Sequence, residues 1–392
     1  MPALLDGVFR VFLLAAPLYA VVAMGLWLLW LHLAADIPWP AATAPALWHA
    51  HEMVFGMTGA VVAGFILTAG ANWTGAPHIR GRAVLPLIAA WLLGRLSLVL
   101  VAPWFPWTAV ALHALFPLLL SHALWRLLHR SRDPWQLAHL GVVLGFSLLS
   151  ALSPMELLGL LPMPWNVATS RLGMGLLVLL VTLIGGRLIP LFTLNWLRTQ
   201  QIPFREAPPR PWLDPLVLGS TAAVVVLMGL GAQNLPAVVL ALVAAGLHLG
   251  RLWRWHGWKT HAAPLVWVLH AGYLSIPLGL ILLALSWSGG PLVETDALHA
   301  WTLGVSGLLV AGIMARVALG HTGRSVQHPD ARLKVVYASL TLALLLRTLF
   351  PVFLPQNLPM VHLASGLFWC LGMSVFFAIY WRVLTRPVLS GN

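Results

Sequence analysis

The stretch that decides the fold is Val11 to Leu33, which reads VFLLAAPLYAVVAMGLWLLWLHL and contains no Asp, Glu, Lys or Arg. A helix of about 20 apolar residues is long enough to cross the hydrocarbon core of a bilayer. The run is too long for the core of a signal peptide, and no small-residue cleavage site precedes the next apolar run. We therefore expect it to be a retained transmembrane helix.

Comparable apolar runs continue to the end of the chain. Of its 392 residues, 60% are hydrophobic and only 8% are charged, whereas soluble domains average about 25% charged residues. The sequence therefore predicts an all-α integral membrane protein, a bundle of about twelve transmembrane helices that forms one polytopic membrane domain over residues 1–392. The predicted helices lie near residues 9–33, 48–70, 83–102, 107–129, 136–153, 168–196, 213–231, 235–254, 264–287, 297–320, 332–354 and 358–383.

The charged residues alternate between the loops, which predicts the orientation. One set of loops is rich in Arg and Lys, and the positive-inside rule places that set and both termini in the cytoplasm. The net charge of +12 is spread over these short loops and forms no single patch, so no nucleic-acid partner is predicted. The cytoplasmic set contains Arg80, Arg82, Arg126, Arg130, Arg132, Arg198, Arg205, Arg210, Arg251, Arg254, Lys259, Arg324, Arg332 and Lys334, with Arg10, Arg382 and Arg386 in the tails. The opposite set contains Asp36, Glu156, Glu294 and Asp296, with Arg171.

The chain has one cysteine, Cys370, which lies inside the last apolar run. A single cysteine excludes a disulfide within the chain and any site built from several cysteines. Because the sequence has no C-x-x-C-H motif, a bound haem would not be of the covalently attached c type.

Polar residues at membrane depth are costly, so each one is a candidate for function. The richest group is Trp48-His49-Ala50-His51-Glu52, at the start of the second predicted helix. At roughly 100° per residue, His49 and Glu52 point in similar directions, and His51 points about 200° away from His49. The helix therefore offers imidazoles to two spaces, which suits a haem or metal ligand. Alternatively, these side chains anchor the helix end at the membrane interface.

His299 lies at the start of the tenth predicted helix, at the same depth as His49 and His51. Haem iron binds neutral imidazole, whose other ring nitrogen needs an acceptor. We predict a non-covalent haem b between the second and tenth helices, with His51 and His299 as axial ligands and His49 as the substitute. Alternatively, His299 is a residue of the first helical turn with a capping role.

Arg95 and Arg347 lie in the outer half of the third and eleventh predicted helices. A guanidinium at that depth requires a carboxylate or backbone carbonyls. Haem propionates would be suitable bidentate partners, which makes both arginines candidates for cofactor binding. The alternative is pairing with Glu52 or with carbonyls at helix ends.

A further set of polar residues is predicted toward the cytoplasmic side: Arg187, His270, Arg316 and His321. We predict that they form a separate site that holds a second haem or a copper ion, or that carries protons inward. His270 could instead be a buried hydrogen-bonded residue, and His321 a cap at a helix end. Three histidines lie in helices without polar neighbours and are predicted to be structural: His113, His122 and His248.

Several motifs of the sequence resemble those of the NnrS family, and the resemblance covers nearly the whole chain. It implies a multi-pass protein of the bacterial inner membrane that binds haem, with copper as a further candidate, and that takes part in denitrification and in defence against nitric oxide. The motifs are Trp48–Met53, Ala71–Gly75, Gly185–Thr193, Leu269–Tyr273, Ala297–His299, Met314–Val317 and Gly320–Arg324.

The resemblance also implies a working set of site residues. Its metal ligands would be His49, His51, His270, His299 and His321. Glu52, Arg187 and Arg316 are the candidates for catalysis, and Glu52 lies on the same helix face as His49. Which histidine binds haem and which binds another metal stays open.

Three functions remain open on the sequence. The first is an oxidoreductase whose haem binds nitric oxide and reduces it with electrons from quinol or another membrane donor. The second is a non-catalytic haem sensor or sink for nitric oxide. The third is a polytopic transporter, which would be colourless after purification, whereas a haem protein would show a Soret band.

Overall fold

The computed structural model describes residues 3–33, 44–161, 168–208, 210–353 and 355–389, and within these ranges it is helical with no strand. Asp36, one of the acids in the predicted outer loops, lies outside these ranges. Each of the twelve predicted apolar runs coincides with a helix. The helices are α1 (Val8–Leu33), α2 (Pro45–Thr74), α3 (Gly81–Val101), α4 (Pro106–Leu128), α5 (Pro134–Leu157), α6 (Ala168–Thr199), α7 (Leu213–Gly229), α8 (Leu235–Trp253), α9 (Pro264–Trp287), α10 (Glu294–Gly320), α11 (Leu333–Thr348) and α12 (Leu358–Leu384).

Ten of these helices are long and apolar enough to cross a bilayer, which makes the chain a multi-pass membrane protein. The other two are shorter, because α7 has 17 residues and α11 has 16. At 1.5 Å per residue, helices of this length fall a little short of the roughly 30 Å hydrocarbon core. Twelve crossings and cytoplasmic termini therefore stay predictions.

The chain divides into two compact units. Unit 1 contains Met1–Leu176, Val317–Arg324 and Phe376–Asn392, and unit 2 contains Leu177–Arg316 and Ser325–Val375. Unit 1 thus includes all of α1 to α5, and unit 2 includes all of α7, α8, α9 and α11. The boundary falls inside α6, α10 and α12, so each of these helices contributes residues to both units.

Glycine permits close helix packing inside both units. In unit 1, a Cβ atom at Gly64 of α2 would lie 2.9 Å from the Phe12 side chain of α1. In unit 2, a Cβ atom at Gly272 of α9 would overlap the backbone of Leu309 in α10. Because a side chain would force these helices apart, the small residue sets the packing distance at both contacts.

Large apolar side chains remain exposed along the helices of both units. Such surface is unusual for a soluble monomer and is expected where lipid tails replace water. Examples from different helices are Leu26, Leu100, Leu118, Leu148, Leu216, Val243, Leu274, Leu342 and Leu371.

Four charged residues that the sequence assigned to loops or tails are buried, and one of them, Asp296 in the first turn of α10, is 9% exposed. Arg10 is only 1% exposed, and its Nη1 donates to the carbonyl oxygens of Leu384 (2.9 Å) and Arg386 (2.7 Å), at the end of α12. Glu156 and Arg251 lie in the last turns of α5 and α8, with 6% and 3% exposure. The loop assignment was wrong here because a long side chain at a helix end can fold back into the protein and find a polar partner there.

Candidate functional site

A buried polar cluster in unit 1 is centred on Glu52, which is fully buried in α2. Its Oε2 accepts a hydrogen bond from the Tyr19 hydroxyl of α1 at 2.7 Å and lies 3.0 Å from Nε of Arg95 in α3. The carboxylate therefore joins three helices. Arg95 is 7% exposed, so this is an ion pair inside the protein and not at its surface.

His113 of α4 extends the cluster to a fourth helix. Its Nδ1 accepts a hydrogen bond from Nη2 of Arg95 at 2.8 Å, and its side chain is 1% exposed. The centre of its ring lies 4.9 Å from the centre of the His51 ring. The prediction that His113 lacks a polar neighbourhood was therefore wrong, because its partners come from other helices.

His51 differs from its neighbours because it is buried without hydrogen bonds. It is 1% exposed, and neither ring nitrogen has a hydrogen-bond partner among the described residues. Its Nε2 lies 3.7 Å from Oε1 of Glu52, which is beyond hydrogen-bonding distance. Buried polar atoms are nearly always satisfied, so an unsatisfied imidazole fits a ligand to a group that the protein binds. This donor chemistry fits an axial haem ligand.

The space beside His51 is small. A cavity of about 10 Å³ is lined by His51, Leu47, Glu156 and Thr169, and by Ser153, Leu157 and Ser170. This volume has room for about one water molecule. A macrocycle bound at this position therefore requires that the lining side chains move apart.

The local structure of α2 explains how these residues are brought together. The helix begins with Pro45 in its first turn, where a missing N–H costs nothing. Immediately after His51 it widens into a π-helical turn, Glu52–Met57, a feature that often marks functional sites. Gly56 lies in this turn, and a Cβ atom there would be 2.5 Å from Oε2 of Glu52 and 2.9 Å from Tyr19. Only glycine leaves room for the cluster.

His49 lies on a different side of α2. It is half-buried, and its ring stacks on Trp27 of α1 with 4.8 Å between ring centres and 17° between planes. This contact fits the alternative in which His49 anchors the helix end. Its roles as substitute haem ligand and as metal ligand stay predictions.

In unit 2, Arg347 of α11 forms an ion pair with Asp296 in the first turn of α10. His299, one turn further along α10, donates from Nδ1 to the carbonyl oxygen of Thr295 at 2.6 Å when it is the neutral Nδ1–H tautomer. This tautomer leaves Nε2 as the nitrogen with a lone pair. His299 and His51 belong to different units, so their role as an axial pair stays a prediction.

Both arginines proposed for propionates already have a carboxylate partner. Arg95 pairs with Glu52, which confirms the alternative that the sequence left open for it, and Arg347 pairs with Asp296. A propionate would have to share or replace these partners. Binding of propionates by Arg95 and Arg347 stays a prediction.

A second buried network lies in unit 2 around Arg251 of α8. Its guanidinium lies 2.9 Å from Oδ1 of Asp214, 3.0 Å from the carbonyl oxygen of Thr182 and 3.2 Å from the Tyr273 hydroxyl. His248, fully buried one turn earlier, bonds Tyr273 through Nδ1 at 2.8 Å. A cavity of about 210 Å³ lies beside the network and is lined by Gly186, Asp214, Arg251, Trp255 and His256, among others.

The four residues predicted to form a cytoplasmic-side site lie in different surroundings. His270 of α9 is 7% exposed and bonds Oγ1 of Thr193 at 2.8 Å. Arg316 lies over the ring of Phe192, with 3.9 Å to the ring centre. These two residues therefore contact consecutive positions of α6. Arg187 is exposed in the same unit, and His321 belongs to unit 1, where its ring lies 5.2 Å from that of Phe9.

Within the ranges that the structure describes, no three His, Cys, Asp or Glu side chains come together to hold one metal ion. A haem needs only one or two protein ligands, so this observation bears on copper more than on haem. The metal-ligand roles of His49, His51, His270, His299 and His321 stay predictions.

Sequence reasoning missed five residues of the two clusters: Tyr19, His113, Asp214, His248 and Arg251. Their partners lie on other helices, so spacing along one helix could not identify them. A signal was available for Arg251 and His248, which are three residues apart and hence on one face of α8. Tyr273 could have been linked to them only through the packing of α8 on α9.

The comparison with protein families gives one result. The model described as NnrS protein matches residues 3–387, a span that includes all twelve helices. No curated protein matches the chain.

Proposed function

Because the chain belongs to the NnrS family, we propose that it binds haem in the bacterial inner membrane and detoxifies nitric oxide by reducing it. Family membership itself indicates a membrane protein of the nitric oxide response. Nitric oxide is small, uncharged and soluble in lipid, so it reaches a site among membrane helices without a polar channel.

The observation that carries the proposal is the state of His51. A fully buried imidazole with two unsatisfied nitrogens costs free energy unless a ligand satisfies it. The cluster around it provides acid, base and hydroxyl groups in the form of Glu52, His113 and Tyr19. When bound at His51, ferrous haem would supply an iron atom that takes up nitric oxide.

Glu52 is the residue best placed to hold a proton near this ligand. Its Oε1 lies 3.7 Å from Nε2 of His51, and its Oε2 is fixed by Tyr19 and Arg95. Joining two nitric oxide molecules to give nitrous oxide and water consumes two electrons and two protons. In our proposal Glu52 holds one of these protons beside His51, and Arg95 keeps the carboxylate oriented.

The electrons would come from a quinol or another membrane donor. Quinols are confined to the lipid, as this chain is, and they release two electrons and two protons each. Arg187, Arg316, His270 and a copper ion remain proposals for a second site in this scheme.

The test measures the rate at which nitric oxide disappears in an electrode chamber. Membranes containing the protein receive excess quinol in one series and dithionite in another, with haem-free protein as the control. We expect loss of nitric oxide that depends on the protein, on the reductant and on Glu52. The variant Glu52→Gln should retain haem and slow consumption at least tenfold.

Two results would contradict the proposal in different ways. Loss of nitric oxide no faster than with haem-free protein would reject catalysis and favour a sensor or sink. A colourless purified protein would reject haem binding and favour a transporter.

A further inference from the structure

The sequence contains a long-range repeat around its two candidate haem ligands. The segment 51–66, HEMVFGMTGAVVAGFI, aligns without gaps with the segment 299–314, HAWTLGVSGLLVAGIM, at an offset of 248 residues. At the same offset, Thr74-Gly75 corresponds to Thr322-Gly323. Identical residues within the two segments are His51 and His299, Gly56 and Gly304, Gly59 and Gly307, Val62 and Val310, Ala63 and Ala311, and Gly64 and Gly312.

The repeat continues into the next helix after an insertion of four residues. At an offset of 252, α3 aligns with α11, and Arg95, which is 7% exposed, corresponds to Arg347, which is 14% exposed. The basic residues before the two helices also correspond, since Arg80 and Arg82 align with Arg332 and Lys334. A shared basic start and a shared arginine at the corresponding position of the helix indicate that the repeat extends over both helices.

The structure repeats with the sequence. Each copy has a π-helical turn, at Glu52–Met57 in α2 and at Gly304–Leu309 in α10. Gly75 and Gly323 both follow their helices in the left-handed conformation, with φ of 68° and 69°. A left-handed glycine after a helix is common, whereas a π-helical turn is rare, so the recurrence of the turn at corresponding positions is not explained by general helix propensity.

The packing against the preceding helix also recurs, each time inside one unit. A Cβ atom at Gly64 would meet Phe12 of α1, and one at the corresponding Gly312 would meet Val268 of α9. Phe12 and Val268 hold corresponding positions, because each lies four residues after the first residue of its helix, Val8 in α1 and Pro264 in α9. The repeated unit therefore consists of a helix that packs on the histidine helix, the histidine helix and the arginine helix.

Each copy contains an ion pair between its histidine helix and its arginine helix. Glu52 pairs with Arg95, and Asp296 pairs with Arg347. The two acids are not at corresponding positions, because Glu52 aligns with Ala300 and Asp296 with Trp48. Glu52 follows His51 by one residue and Asp296 precedes His299 by three, which places both acids about 60–100° round the helix from the histidine. Relative to the histidine, the acid of the second copy therefore lies about one turn away from the acid of the first copy, on the same face of the helix. In both copies it pairs with the corresponding arginine.

Shared glycines alone would indicate shared packing. An ion pair that is largely removed from water is different, because taking two charges out of water costs about as much as their attraction returns. Its presence in both copies, each time beside the same histidine, indicates a retained site.

From this repeat we infer that His299, Asp296 and Arg347 form a second ligand site, equivalent to the site of His51, Glu52 and Arg95. The inference rests on the proposed function for the identity of the ligand, which is haem. It assigns to Asp296 and Arg347 the ion pair beside the ligand that Glu52 and Arg95 form in the first site. Each site then takes one haem, and the chain holds two.

The first test is the haem content of the purified chain, measured as pyridine haemochrome per mole of protein. We expect two haems in the unmodified chain, about half of that in His51→Ala and in His299→Ala, and almost none in the double variant. His122→Ala, which changes an exposed histidine of α4, is the matched control and should keep both haems. Size-exclusion profiles in detergent would show that each variant is folded.

The outcomes separate this inference from the proposed function. Haem that is lost with His51→Ala but unaffected by His299→Ala would overturn the second site and leave the proposed function standing. Complete loss in either single variant would overturn it as well, because a single group would then depend on both histidines. A chain that never contains haem would reject the proposed function and the second site together.

A second test is independent of cofactor. Asp296→Ala should lower the thermal unfolding midpoint by leaving Arg347 without its carboxylate. Adding Ala300→Glu, at the position that corresponds to Glu52, should restore most of that loss, whereas Ala300→Gln should not. If Ala300→Glu restores no more than Ala300→Gln, the two sites are not equivalent.

Discussion

His51 of unit 1 and His248 of unit 2 are both buried histidines, but they differ in whether their ring nitrogens have hydrogen-bond partners. His248 bonds the Tyr273 hydroxyl at 2.8 Å and Oγ1 of Thr221 at 2.9 Å, so both of its nitrogens are satisfied. His51 has no hydrogen-bond partner within the described residues. The two histidines are therefore alike in burial and differ in their hydrogen bonds, which is why His51 is the candidate ligand.

The two surrounding clusters differ in the same way. The Arg251 network in unit 2 ties α6, α7, α8 and α9 together, and its guanidinium has three partners. The Glu52 cluster in unit 1 is equally buried, yet it leaves an imidazole unsatisfied at its centre. In the first network both histidine nitrogens have partners, whereas in the second neither nitrogen of His51 has one among the described residues.

The largest expected difference concerns haem retention in His51→Ala and His248→Ala. His51→Ala removes the unsatisfied imidazole, so we expect at least a tenfold loss of the haem bound in unit 1. His248→Ala should leave haem content unchanged and destabilise the protein by about 1–3 kcal/mol, because Tyr273 and Thr221 lose a partner. Absorbance at the Soret band and thermal unfolding give the two readouts. A normal haem content in His51→Ala, or its loss in His248→Ala, would break the distinction.

The next difference concerns the acids. Glu52→Ala leaves the buried guanidinium of Arg95 without its carboxylate, which should cost about 3–5 kcal/mol. Asp214→Ala removes a carboxylate that is 46% exposed, and Arg251 keeps the Thr182 carbonyl and the Tyr273 hydroxyl. We expect about 1 kcal/mol for this second change. Thermal unfolding in detergent would rank the two variants, and equal losses would show that the clusters are equally complete.

A smaller difference concerns glycines. Gly56→Ala places a Cβ atom against Glu52, Tyr19 and Arg95, so it should destabilise by about 1–3 kcal/mol. Gly246→Ala, in α8, meets no atom within 4 Å among the described residues and should stabilise by up to about 1 kcal/mol through helix propensity. The pair is measured by thermal unfolding. If the two variants shift the unfolding midpoint in the same direction, the close packing at Gly56 is not what holds the cluster together.

Most of the fold follows from the sequence, because every predicted apolar run is a helix. Length and hydropathy are local properties, so they locate helices well. The same reasoning did not anticipate that α7 and α11 have only 17 and 16 residues, so twelve crossings stay a prediction. Orientation also stays a prediction, because it rests on loop charge.

The candidate site was predictable only in part. His51 and Glu52 stand out because, with His49, they place three polar side chains within four residues of one helix. Arg95 stands out because a cation at membrane depth needs a partner. His113 and His248 were predicted to be structural residues without polar neighbours. His248 does have polar neighbours, Tyr273 and Thr221, and its hydrogen bonds to them fit a structural role. Arg95 and His113 are 18 residues apart in the chain, and His248 and Tyr273 are 25 residues apart. Contacts between residues of different helices depend on how the helices pack, and the pattern of one helix does not encode that packing.

The most direct test of the central claim is the electron paramagnetic resonance spectrum of the reduced protein after nitric oxide is added. If His51 is an axial ligand and nitric oxide binds the iron on the opposite side, the spectrum contains superhyperfine splitting from an imidazole nitrogen. We predict that His51→Ala removes the part of this signal that comes from the haem of unit 1 and leaves only the part from the His299 site, whereas His248→Ala preserves the whole signal. An identical spectrum in the unmodified protein and in His51→Ala, with the same haem content, would contradict the account.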